Sequence, residues 1–97
     1  MKKGYILGDE ETTFCVVKSI NSSKARNEAF KLYGKLLGLD FIEFNEICSC
    51  NRFKELDELN FEIIDAVDLG VGTEMEHKEI WSYDEIISAV KEEVSHD

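Results

Sequence analysis

The sequence predicts a single small α+β domain: an antiparallel sheet with helices packed on one face, its elements in the order ββααββα. Three observations carry that expectation. Short runs of β-branched and aromatic residues are separated by polar turns, and longer stretches place apolar residues at helical spacing behind capping residues. The chain has 97 residues and no proline, repeat or low-complexity tract, which leaves room for one core and marks no linker.

The first two strands are read at residues 4–8 and 12–18, where Tyr5-Ile6-Leu7 and Thr13-Phe14-Cys15-Val16-Val17 flank the polar stretch Asp9-Glu10-Glu11. They form a hairpin. Asn21-Ser22-Ser23 then supplies N-cap chemistry for a helix from Lys24 to Leu37, and Gly38 is the residue type best suited to a left-handed C-cap. Ala25, Ala29, Leu32 and Leu36 recur at helical spacing, with Phe30, Tyr33 and Leu37 widening the stripe. Lys24, Glu28, Lys31 and Lys35 line another face.

Asp40 followed by Glu43 is a capping pair ahead of a shorter helix, with Phe41, Phe44, Ile47 and Cys48 on one side and an end near Asn51. Phe53, Leu56 and Leu59 sit three apart, which suits a further helical turn or an irregular crossing. Phe61 to Val67 is β-rich, Gly70-Val71-Gly72-Thr73 offers a loop, and Lys78-Glu79-Ile80-Trp81 returns as a partner strand in a second hairpin. Ser82-x-x-Glu85 is a capping box that opens a last helix, with Ile86, Ile87, Ala89, Val90 and Val94, to residue 95.

Charge is the most unusual bulk property. The net of −10 divides into +2 over residues 1–54, with nine Lys/Arg against seven Asp/Glu, and −12 over residues 55–97, with two against fourteen. Such a field repels nucleic acid and anionic membrane and attracts basic protein surfaces. No apolar run approaches the ~18 residues of a membrane span, and Met1 to Tyr5 leads into charge rather than a signal core, so a cytoplasmic protein is expected. The odd set Cys15, Cys48 and Cys50 is expected to be reduced.

Chemistry-bearing residues are few. Cys48-Ser49-Cys50 with Cys15 and His77 has metal-ligand types, but a one-residue spacing departs from the paired arms of zinc sites. His77 stands among Glu74, Glu76 and Glu79, which would raise a neighbouring thiol pKa and work against thiolate catalysis. Carboxylates are so abundant after residue 55 that no acid/base pair stands out, and Gly70-x-Gly72 lacks the third glycine of a phosphate loop. No enzyme activity and no cofactor are expected. Lys24, Arg26, Lys31 and Lys35 are the one basic face, within pairing distance of Glu28 along the helix.

Thr13-Phe14-Cys15-Val16-Val17, Ser22-Ser23-Lys24-Ala25-Arg26, Phe30-Lys31-Leu32-Tyr33 and Asp40-Phe41-Ile42-Glu43-Phe44 together resemble a pattern found in small uncharacterised proteins carried by phages and prophages of Gram-positive bacteria. The likeness covers residues 12–53 and rests on packing and capping residues, so it implies a fold and a genomic setting rather than catalytic residues. It implies an accessory protein that binds and disables a host protein.

The reading expected first is therefore a non-enzymatic, acidic protein-binding module, an inhibitor of a host nucleic-acid-handling or defence complex. Its contact would be Glu55, Asp57, Glu58, Glu74, Glu76 and Glu79 against a basic surface of the partner, with Trp81 or Tyr83 as an aromatic anchor. Two alternatives stand beside it. One is a binder of an anionic small molecule acting as a homo-oligomer through the basic helix face; the other is a metal or thiol site at Cys48, Cys50 and His77.

Overall fold

The structure is a computed structural model that describes residues 2–9, 13–69 and 82–95. The chain begins with two strands, β1 (Lys3–Gly8) and β2 (Thr13–Ser19), followed by helices α1 (Ser22–Leu37) and α2 (Phe41–Ile47). Strand β3 (Ser49–Arg52) comes next, then a single 3-10 turn at Lys54–Leu56, strand β4 (Ile63–Asp65), a short helix α3 (Ala66–Leu69) and helix α4 (Tyr83–Ser95). The four strands form one antiparallel sheet in the order β3-β1-β2-β4. This is the α+β class that the sequence predicts.

The helices, however, cover both faces of that sheet, which corrects the expectation of one covered face. Tyr5, Leu7, Cys15 and Val17 pack with Ala25, Ala29, Phe44 and Cys48 beneath α1 and α2. Ile6, Val16 and Ile64 pack on the opposite side with Leu56, Ala66, Ile86, Ile87 and Val90. Successive strand residues point to opposite faces, so a sheet sandwiched in this way needs apolar side chains at consecutive positions rather than at every second one. The unbroken runs Tyr5-Ile6-Leu7 and Phe14 to Val17 meet that need.

Two further elements differ from expectation. Residues 49–51, read as the end of the second helix, belong instead to strand β3, because α2 stops at Cys48, whose extended backbone turns the chain onto β1. The stretch read as a strand over residues 61–67 is extended only at Ile63–Asp65 and coils into α3 at Ala66. Thr12, the loop at residues 70–73 and the strand expected at residues 78–81 lie outside the described residues.

Capping follows the sequence closely. The Asn21 side chain accepts from the Lys24 N–H at the start of α1, and Gly38 closes the helix in the left-handed region at φ 70°. Asp40 and Glu43 make a reciprocal capping box on α2. Ser82 and Glu85 do the same for α4.

The stretch between β3 and β4 is neither a long helix nor a free crossing. One 3-10 turn drops Leu56 into the second core, fully buried. Gly4 permits this approach, because a methyl on its Cα would overlap the Leu56 Cβ.

Candidate functional site

Two layers of the molecule carry chemistry, and the sheet separates them. The first is a group of thiols and a phenol under α1. Register places Cys50, Leu7, Cys15 and Asp65 side by side across the four strands. Cys15 is fully buried, while Cys48 reaches the same core from the end of α2. Spacing in the sequence could not show that these residues meet, since β3 itself was not foreseen.

Burial decides what this group can do. It pushes all three thiols upward: Cys15 well above its ordinary value, Cys50 up to about 11, and Cys48 in the same direction, with the Arg26 guanidinium pulling the last two partly back. The Arg26 side chain is itself engaged, donating to the Cys48 carbonyl at 2.6 Å. A nucleophilic cysteine needs a thiolate, and these thiols are held protonated at neutral pH. Tyr33 closes the group. Its phenol is pushed far up, by burial first and then by the Asp65 carboxylate beside it.

Among the described residues, no group of three or more His, Cys, Asp and Glu side chains is arranged to hold a metal ion. His77, the remaining member of the expected thiol or metal set, lies outside them. No helix among the described residues is long and apolar enough to cross a membrane.

The second layer is acidic. It comprises α4 and the segment from Phe53 to Leu59, which together cover the face formed by Ile6, Val16 and Ile64. Ile86, Ile87, Val90 and Val94 turn inward along α4, leaving Asp84, Lys91, Glu92 and Glu93 exposed. Glu55 and Glu58 are exposed on the neighbouring segment. Leu69 of α3 and Asp84, Glu85 and Glu92 of α4 border a shallow groove of about 440 Å³. Tyr83, at the start of α4, keeps nearly half its surface in solvent; its ring lies 4.8 Å from that of Phe53 and its hydroxyl accepts from Asn51 at 3.0 Å.

Asp57 belongs to the fold more than to this surface. Its carboxylate accepts from the Gly4 N–H at 2.8 Å and pairs with both Arg52 guanidinium nitrogens at 2.8 and 2.5 Å. Lys18 donates to the Asp57 and Leu59 carbonyls at 2.6 and 2.7 Å. These contacts pin the crossing segment to β1 and β2. Of the six acidic residues expected to form the contact, Glu55 and Glu58 are thus exposed together, Asp57 is occupied, and Glu74, Glu76 and Glu79 lie outside the described residues. Trp81, the other aromatic singled out, lies outside them too.

The basic face of α1 does not converge on one ligand. Arg26 holds Cys48, Lys31 sits 3.7 Å from Glu28, and Lys35 lies at the far end of the helix. A half-open cavity of about 340 Å³ near the start of α1 has Lys2 and Lys24 on its wall, but Glu28 and Glu62 share that wall and Lys18 is already engaged. An anion there would meet nearly balanced charge.

Comparison with protein-family models, curated proteins and solved structures finds no match to this chain.

Proposed function

We propose that the chain is a non-enzymatic, acidic protein-binding module that presents the α4 layer and the Phe53–Leu59 segment to a basic surface of a partner protein. The observation that carries this reading is the charge of α4, which exposes Asp84 and Glu93 and whose one basic residue, Lys91, stands against four acidic ones.

Glu55 and Glu58 add charge from the same layer, and Glu74, Glu76 and Glu79 are assigned to the same contact from the sequence. Carboxylates fixed on a rigid layer steer a basic partner into encounter and compete for Lys/Arg groups that otherwise hold phosphates. The phage-like resemblance directs this reading to host nucleic-acid-handling or defence proteins. The protonated state of the three thiols supports a binding role over a catalytic one.

The test is parallel capture from a nuclease-treated bacterial lysate. The full chain is compared with a variant carrying Glu55→Gln, Glu58→Gln, Glu92→Gln and Glu93→Gln, at low and moderate salt. A stoichiometric partner held by the parent, released by salt and missed by the variant is expected. Equal retention by both chains would refute the reading.

A further inference from the structure

The apolar stripe of α1 outruns the core that it covers. Ala25, Ala29, Leu32 and Leu36 share one side of the helix by their spacing; the two alanines are fully buried, whereas Leu32 is 43% and Leu36 82% exposed. Small residues face the sheet, and large ones project where no described part of the chain covers them. Leu37, Phe41, Ile42 and Ile47 are also exposed, so six of the eight large exposed apolar side chains among the described residues lie within residues 32–47, on both sides of the Gly38 turn. Scattered apolar residues on a surface need no explanation, but a cluster confined to one helical corner does.

Charge selects the occupant. Residues 22–47 hold four basic and four acidic side chains and no net charge, unlike the chain as a whole. The charges are also sorted: α1 carries Lys24, Arg26, Lys31 and Lys35 against Glu28, a net of +3, and Asp40, Glu43 and Glu46 at the start and in the body of α2 make −3. A surface with an apolar centre, one basic margin and one acidic margin is complementary to itself under a two-fold rotation. The −12 half of the chain would repel a second copy, yet its α4 layer lies behind the sheet from this corner. A helix layer and a sheet place it roughly 20 Å behind the contact, well past the ~8 Å screening length at physiological salt.

We infer that the α1–α2 corner is a homodimer interface, in which Leu32, Leu36 and Ile42 of two copies pack around a two-fold axis and the basic margin of one copy meets the acidic margin of the other. The dimer would leave both acidic layers facing outward.

Sedimentation of the full chain over a wide concentration range tests this directly. A species of twice the 11.1 kDa chain mass is expected. Leu36→Glu and, separately, Ile42→Glu should weaken the dimer at least about tenfold, with unchanged helical circular dichroism, since neither side chain is part of the monomer core. Lys35→Glu should weaken it too, and Lys35→Glu combined with Glu46→Lys should restore it. The four-glutamine variant of the acidic layer should dimerise as well as the parent, which separates this inference from the proposed function. A monomer at every concentration, or a dimer indifferent to both Leu36→Glu and Ile42→Glu, would overturn it.

Discussion

The Tyr33 hydroxyl donates to the Phe14 carbonyl at 2.6 Å, joining α1 to the one residue of β2 that has no partner on β1. Leu7 lies opposite Cys15 and Gly8 opposite Thr13, so Phe14 is the extra residue of a β-bulge. The bulge lets Phe14 join Cys15 in the same core, where its ring stacks 5.4 Å from Tyr33 and 5.9 Å from Phe44. Tyr33→Phe keeps the ring and removes the donor to a buried carbonyl. A loss of about 1–3 kcal/mol in urea denaturation is expected; a variant as stable as the parent would mean that water serves the carbonyl equally well.

Gly4→Ala should destabilise the chain by about 1–3 kcal/mol, through overpacking against Leu56. The same denaturation experiment reads it. Phe44→Ala, at the centre of the other core, should cost about 3–5 kcal/mol.

Asp57 gives the fold an acid-sensitive clamp. The Gly4 N–H first, and then Arg52, hold its carboxyl below the ordinary range. A depressed folded-state pKa adds stability that is complete above the ordinary value of about 3.9 and disappears as pH falls through the folded value. Asp57→Asn should therefore be less stable than the parent at neutral pH, with the difference closing below about pH 4. Denaturation curves at several pH values from neutral to acid would show it, and a gap that widened in acid would contradict the clamp.

The thiols should be slow to alkylate in the native state. With Cys50 pushed up to about 11, roughly one molecule in ten thousand carries its thiolate at pH 7. Iodoacetamide labelling followed by intact mass should show little modification until denaturant is added, and rapid native labelling at neutral pH would require a thiolate stabilised in the folded chain.

Capping and periodicity made much of the described fold legible. Asn21, Gly38, the Asp40–Glu43 pair and the Ser82–Glu85 pair act locally, so the sequence carries their geometry within a few residues. Strand β3 was hidden because Ser49-Cys50-Asn51-Arg52 has no β-branched or aromatic residue; pairing with β1 makes it a strand. The second covered face was visible in principle, since Tyr5-Ile6-Leu7 and Phe14 to Val17 lack the polar alternation of a half-solvated sheet. Asp57 could not be separated from Glu55 and Glu58 by sequence, because its partners are Gly4, distant along the chain, and Arg52, which the turn brings back. The exposure of Leu36 was equally hidden, for the apolar stripe reads the same whether or not a core lies beneath it.

The most direct test of the proposed role is a binding titration of the captured partner against the parent and the four-glutamine variant over a series of salt concentrations. Affinity that falls steeply with salt for the parent, and is weaker and flatter for the variant, is the expected result. Equal affinities with no salt dependence would mean that the acidic layer is not the contact.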